Sequence, residues 1–340
     1  MRTILCSALA LLTAFAASAA PPKQVAVRKT PAKAKTVAVA QPVQSAHRRS
    51  PYVGAISADV QTGQVLFEDN ADAEAYPASV TKLMTLLLVL EDVKTGKYGL
   101  DDLATATADV YRSEPSWVGI KVDEKMSVRS LCMALMVESA NDAAIMLGIH
   151  SAGSFDAFVA RMNARATELG MRHTRYYNPN GLPPNSSKRY PWKSFNVSTA
   201  RDQMLLARQL VKMPEVMKLT SIKTCDLIKT ADGYRVAVTR RTNEPTVETA
   251  PAEGEKIVKQ LRNHNNVMRT DKLKILNPDG TEAVDGLKTG YIDAGGSSIV
   301  LTGSRKGKRA IVVVLGSSSS KVRDAQAQHL MNDALGSIAW

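Results

Sequence analysis

Three short patterns place a nucleophile, an amine and an amide at spacings suited to acyl chemistry. Ser79 and Lys82 form S-x-x-K, Ser139 and Asn141 form S-x-N, and Lys288, Thr289 and Gly290 form K-T-G. A serine and a lysine three apart share one face of a helix, so hydroxyl and amine can meet. Ser79 is the candidate nucleophile, attacking a carbonyl to give an acyl-enzyme, and Lys82 is the base if its amine is neutral. Burial and a second cation nearby favour that neutral form, and Lys288 is the candidate cation. Ser139 is the candidate relay of a proton to a leaving amine. Asn141 would bond a substrate amide, and Thr289 offers a hydroxyl to a carboxylate. Gly290 lets a strand backbone come close to a substrate. An oxyanion hole needs two backbone N–H groups. Ser79 and Tyr291 supply them if the strand runs beside the start of the helix.

Each pattern alone is weak, and each has a decoy: Ser318–Lys321, Ser194–Asn196 and Lys94–Gly96. Context separates them. Ser79 opens an apolar run rich in Leu, Met and Val that extends to about Lys94, the mark of a central buried helix. A lysine at the start of such a helix is costly unless it has a partner or a task. Lys94–Gly96 falls where that helix should end, and there lysine and glycine are ordinary terminators. Ser318 lies in a serine-rich loop, and Ser194 in a loop with Pro and Lys. The bland readings are an N-cap for Ser79, a helix break for Ser139 and a turn for Lys288–Gly290; the ordered set in the right contexts argues against them.

The elements that must hold these residues follow from the apolar pattern. Residues 52–71 predict two short strands around a turn at Gln61–Gln64. Residues 127–149 predict two buried helices broken at Ser139–Asn141. Amphipathic helices are expected over 154–169 and 198–212, the latter capped by Ser198 or Thr199. Strands are expected at Gly286–Thr289, Ser297–Gly303 and Arg309–Leu315, and a last helix from about Lys321 to Ile338. One mainly antiparallel sheet with helices packed on it is the simplest solution. Residues 182–197, 229–260 and 275–283 read as insertions or mobile loops.

The 340 residues carry 44 Lys+Arg against 32 Asp+Glu, a formal +12, with 44% apolar and 22% charged residues. That composition excludes a wholly disordered chain, a collagen and a multi-span membrane protein. Arg2, the apolar run Ile4–Ala17 and Ala17-Ser18-Ala19 have the form of a secretory signal, with cleavage expected after Ala19. The run is shorter than the roughly 20 residues of a spanning helix. A periplasmic or other extracytoplasmic protein with no transmembrane helix in its mature chain is therefore expected. Residues 20–50, rich in Lys, Ala and Pro and free of acids, read as a flexible linker. The catalytic domain is expected over 51–340. Cys132 and Cys225 remain after processing; a disulfide is open to them, though Cys132 lies in an apolar run that suits a buried free thiol. The chain has no paired Cys/His spacing of a zinc site, so no metal or cofactor is expected.

At these residues the chain resembles the penicillin-recognising serine acyltransferases. More closely it resembles the low-molecular-mass penicillin-binding proteins of the D-alanyl-D-alanine carboxypeptidase family. The likeness covers nearly all of residues 51–340. It extends through YPASVTKLMT (76–85), ESANDAA (138–144), MNARATELGM (162–171), NPNGL (178–182), NVSTARD (196–202) and DGLKTGYIDAGG (285–296). The resemblance implies an α/β, β-lactamase/transpeptidase-like fold: a five-stranded antiparallel sheet flanked by helices, plus an all-helical subdomain. It implies cleavage at D-Ala-D-Ala bonds of peptidoglycan stem peptides, with β-lactams as acylating inhibitors. It also implies that Arg323 faces the substrate's terminal carboxylate, for which the guanidinium fork is suited. The usual second β-rich domain and C-terminal amphipathic helix are not recognisable before Trp340. That shorter form also occurs in related endopeptidases that cut crosslinks, and the resemblance leaves residues 20–50 unexplained.

The leading expectation is a serine DD-carboxypeptidase, with a D-alanyl-diaminopimelate DD-endopeptidase as the nearest alternative. A β-lactamase would need a base for deacylation, and no convincing E-x-x-x-N loop lies between Asn141 and Lys288, so a slowly released penicillin adduct is expected. A non-catalytic β-lactam sensor or wall-binding protein conflicts with the complete set of catalytic side chains. A nucleic-acid binder is suggested by net charge alone, and no binding motif supports it. Residues 1–50 hold eight Lys+Arg and no acid, which leaves 36 Lys+Arg against 32 Asp+Glu, or +4, for the domain. The basic segment is thus expected to favour an anionic envelope surface.

Overall fold

A computed structural model describes residues 49–110, 115–186 and 194–338; the expected signal segment and nearly all of the expected linker lie outside them. The chain enters through β1 (Gly54–Asp59) and β2 (Val65–Asp69). Between them Asp59 accepts from the Thr62 amide and Gly63 takes a left-handed φ of 77°, which closes the expected turn. A 3-10 turn, Ala78–Thr81, leads into α1 (Lys82–Lys94). Every side chain from Lys82 to Leu90 is buried, as the all-round apolar run requires. Lys94 ends the helix and Gly96 turns left-handed at φ 74°, the terminator expected there.

A short ribbon, β3 (Leu103–Thr105) with β4 (Lys125–Ser127), precedes α2 (Val128–Val137) and α3 (Asn141–Ala152). Then come α4 (Phe155–Glu168), α5 (Ala200–Leu210) and α6 (Pro214–Thr220), a helix the sequence pattern did not announce. Ser127, Ser154 and Thr199 cap α2, α4 and α5 through their side-chain oxygens, each accepting an amide of the first turn. Of the two caps weighed for α5, Thr199 takes the role.

A second sheet follows: β5 (Ile222–Lys229), β6 (Tyr234–Arg241) and β7 (Lys256–Arg262), in the order β6-β5-β7. Helix α7 (Asn266–Arg269) and a 3-10 turn at 271–273 lead to β8 (Val284–Ile292), β9 (Gly296–Arg305), β10 (Lys308–Ser317) and α8 (Ser320–Ile338).

The main sheet is five-stranded and antiparallel throughout, in the order β2-β1-β10-β9-β8. Its two faces explain its sequence. On β10, Ile311, Val313 and Leu315 join the cluster around α1 to α5, while Ala310, Val312 and Val314 join the cluster under α8. Strands covered on both faces read as continuous apolar runs, because side chains alternate between two dry layers. Arg49 bridges Ser317, so the sheet takes up the chain before residue 51. No single described helix is long and apolar enough to cross a membrane.

Several expectations need correction. Ser79 sits in the 3-10 turn, three residues ahead of Lys82, the first residue of α1, and not in the α-helix itself. Residues 229–260 are not a mobile loop: their ends belong to the second sheet, where β5 is the central strand. That sheet packs on α2 through Leu227, Val236 and Leu261, so the helical part is not all-helical. The flanking strand β7 escaped detection because six of its seven residues are exposed, leaving no alternation to read. Residues 275–283 are also anchored, by the Leu276–Glu282 bridge and by Glu282, which accepts from Lys223 and Lys274. The flanks of 182–197 are held too: Phe195 stacks on Tyr76 and Val197 bridges Arg175. Residues 187–193 lie outside the described residues.

Candidate active site

Four pieces of chain meet at Ser79. The 3-10 turn carries Ser79 and α1 begins with Lys82. The break between α2 and α3 carries Ser139 and Asn141, and β8 carries Lys288 to Tyr291. The backbone is forced at both sharp points. Ala78 has φ 49° and Ser139 φ 63°, left-handed values that cost a residue with a Cβ about 1–2 kcal/mol each.

Lys82 is fully buried and makes three polar contacts: Ser79 Oγ at 2.8 Å, Asn141 Oδ1 at 2.7 Å and the carbonyl oxygen of Asn180 at 2.6 Å. The last two can only accept. A neutral amine has two N–H donors and one lone pair. With both donors engaged by Asn141 and Asn180, the lone pair is left for the Ser79 hydroxyl. The electrostatics point the same way. Burial, and then the Lys288 cation, hold the Lys82 ammonium far below its usual pKa, while Asp142 opposes them. Lys288 is itself buried, and burial followed by Arg323 brings its pKa down to about 7, against a pull upward from Glu138.

Asn180 was not singled out from its chemistry. It is placed by a folded asparagine loop: Asn178 Oδ1 accepts the amides of Asn180 and Gly181, and Asn180 Oδ1 accepts the amide of Leu182. Asn196 ties this loop to Thr81, and Thr85 donates to the Pro179 carbonyl. Gly181 has φ 84°, and a Cβ there would sit 1.9 Å from the Ala78 carbonyl oxygen, so only glycine lets the loop touch the catalytic turn. Asparagines two apart, in Asn178/Asn180 and again in Asn263/Asn265, are the sequence signal for such side-chain-closed turns.

β8 runs against the 3-10 turn. A Cβ on Gly290 would lie 2.6 Å from the Pro77 carbonyl and 3.0 Å from the amides of Ser79 and Val80. The strand backbone therefore lies beside the Ser79 amide, as an oxyanion hole shared by Ser79 and Tyr291 requires. Tyr291 itself is exposed and donates to Asp293. Ser139 Oγ is buried with no hydrogen-bond partner among the described residues. A hydroxyl open in this way is available to a substrate group in the cleft.

Ser79, Ser139, Thr289, Gly290, Tyr291 and Arg323 all line one cleft of about 490 Å³. Lys82, Asn141 and Lys288 lie buried behind it. Arg323 faces the cleft, but its Nε and Nη2 already donate to Asp324 Oδ1, at 2.8 and 2.6 Å. The cleft also takes in His264, Asn266, Arg269 and Ser320, which sequence reasoning missed. Desolvation and then the basic groups around it, Lys288 and Arg269 foremost, push His264 down to about 4, so it is neutral near pH 7. Asp142, whose neighbours were read only as a motif, accepts the amides of Val118, Gly119 and Ile120 and fastens that loop to α3. Cys132 and Cys225 are both buried and free. The decoys Ser194–Asn196 and Lys94–Gly96 lie outside this cleft, and of Ser318–Lys321 only Ser320, neither the serine nor the lysine of the pattern, lines it.

A family model described as D-alanyl-D-alanine carboxypeptidase matches residues 39–248, more than half of the chain. The chain belongs to the D-alanyl-D-alanine carboxypeptidase family. The K-T-G strand lies beyond that match, and its place in this family's cleft rests on the geometry above. The chain is 28% identical over 286 residues to D-alanyl-D-alanine carboxypeptidase DacF of Bacillus subtilis, covering 82% of this chain and 61% of that protein. It is 37% identical over 158 residues to the D-alanyl-D-alanine endopeptidase of Pseudomonas aeruginosa, 46% of each chain. Among solved structures, the ampicillin-bound penicillin-binding protein D2 of Listeria monocytogenes matches with a TM-score of 0.61 and 28% identity. That match covers 84% of this chain and 97% of the other. The expected five-stranded α/β fold is therefore the family's. The chain spans only 61% of the length of the Bacillus relative.

Proposed function

We propose that the protein is a serine-type D-Ala-D-Ala carboxypeptidase that trims peptidoglycan stem peptides through an acyl-enzyme on Ser79. The observation that carries this reading is Lys82, buried, with two acceptor-only partners and its remaining valence toward Ser79 Oγ. As Oγ attacks the carbonyl carbon of the penultimate D-Ala, its proton passes to Lys82 Nζ. The carbonyl oxygen takes the negative charge and bonds to the amides of Ser79 and Tyr291. The C–N bond then breaks, and the departing amine takes a proton delivered through Ser139. Water attacks the ester, gives a proton to Lys82, and releases the shortened peptide with the Ser79 hydroxyl restored. Lys288 keeps Lys82 deprotonated, Asn141 orients the substrate amide, and Thr289 and Arg323 receive the terminal carboxylate.

The same nucleophile opens a β-lactam ring, whose acyl-enzyme is expected to persist. Intact-mass spectrometry after exposure to penicillin should show one adduct on the wild type and none on Ser79→Ala. Ser79→Ala should also lose D-Ala release from a pentapeptide, and activity retained in that variant would sink the proposal. The second reading, a DD-endopeptidase on crosslinked peptides, is favoured by the endopeptidase relative. Monomer release from a purified crosslinked muropeptide dimer tests it. Export, and attraction of the basic residues 20–50 to an anionic envelope surface, complete the proposal.

A further inference from the structure

The cleft carries more positive charge than one carboxylate needs. Among its described lining residues are Arg269 and Arg323, with a neutral His264 and no aspartate or glutamate. Arg323 is largely neutralised by Asp324, which it contacts through two nitrogens. The other oxygen of Asp324 accepts from Asn266 at 3.0 Å, which locks α7 to α8. Arg269, the last residue of α7, thus lines the cleft from a short helix tied down beside Arg323. It is exposed, and its guanidinium has no hydrogen bond or ion pair among the described residues.

An always-charged fork that lines a reactive cleft without a counter-ion calls for an anion supplied by the ligand. The Arg323 end is where, on the catalytic reading above, the departing residue lies. A departing D-alanine has one carboxylate, and Thr289 with Arg323 suffices for it. We infer that Arg269 is a specificity residue for a second anionic group on the departing side of the scissile bond. The preferred substrate then has a departing residue or strand with a further carboxylate, as in a crosslinked peptide, and not only a lone D-alanine. This rests on the acyl-enzyme reading and deepens it.

The test uses the full chain and three defined peptides that differ only after the penultimate D-Ala: D-Ala-D-Ala, D-Ala-D-Glu and D-Ala-D-Gln. D-Gln matches D-Glu in shape and lacks the charge. The wild type should favour D-Glu over D-Gln in kcat/KM. In Arg269→Gln that preference should fall by roughly tenfold or more, the worth of a charge-assisted bond. Arg269→Lys should restore part of it, and added salt should erode it in the wild type. An equal D-Glu to D-Gln ratio in wild type and Arg269→Gln overturns the inference. So does a wild type that cleaves D-Ala-D-Ala yet shows no preference for D-Glu. Failure to cleave any peptide, with no Ser79 adduct, would instead overturn the acyl-enzyme reading beneath it.

Discussion

Lys82 shows how much a single side chain depends on what surrounds it. Its partners Asn141 and Asn180 come from positions 59 and 98 residues away, and both present oxygens. An ammonium would be well hydrogen-bonded there too, so the decisive factors are burial and the Lys288 cation. Lys288 allows a check with a definite sign. Its folded pKa is about 7 against an ordinary 10.5. Between those values the unfolded chain holds the proton and the folded chain does not, so stability rises with pH across that window. Below about 7 both states are protonated and the full cost of the buried charge is present. Lys288→Met should remove that rise. Denaturation midpoints of wild type and variant at about pH 7 and about pH 9.5 should diverge, with the wild type gaining more from the higher pH. Parallel pH dependence would mean that Lys288 is not strained in the way its burial implies.

At the scale of elements, the site depends on how close β8 comes to the 3-10 turn. Gly290 permits an approach that any Cβ would block, 2.6 Å from the Pro77 carbonyl and 3.0 Å from the Ser79 amide. Gly290→Ala should push the strand outward and open the oxyanion hole, lowering the acylation rate by roughly 10²–10³-fold. The far-ultraviolet circular dichroism should stay close to wild type, since only one strand edge moves. Stopped-flow acylation by a chromogenic β-lactam reads the effect; a loss below about threefold would remove the Ser79–Tyr291 hole from consideration. The second sheet also reaches the site: Lys259 on β7 pairs with Glu138 at 2.5 Å, the residue next to Ser139. That contact joins a strand invisible to periodicity to a loop announced by its motif.

At the scale of the whole molecule, charge is unevenly distributed. Eight of the 44 Lys+Arg lie in the acid-free first 50 residues. If the segment 20–50 is an electrostatic tether, its deletion should weaken salt-sensitive sedimentation with envelope preparations and leave turnover of a soluble pentapeptide unchanged. Equal binding with and without the segment would reduce it to a spacer. The catalytic reading does not depend on that outcome, because the cleft is built entirely from residues 79–323.

The sequence by itself determined the local matters. The all-round apolar run made α1 a buried helix. Ser198 or Thr199 marked a helix start, Gly96 marked an end, and apolar runs marked the strands of the main sheet. The three motifs, read with their surroundings, named the residues that meet at Ser79. All of these are short-range properties, set by propensity, periodicity and spacing. Only the tertiary structure decided which nitrogen faces which oxygen. It placed the Asn180 carbonyl on Lys82, left Ser139 without a partner among the described residues, paired Arg323 with Asp324, and brought Arg269, with no counter-ion among those residues, into the same cleft. It also turned residues 229–260 from an apparent insertion into parts of a sheet against α2. Each of these is a contact between segments far apart in the chain, made by polar or exposed groups that carry no periodic signal, so nothing local could announce them.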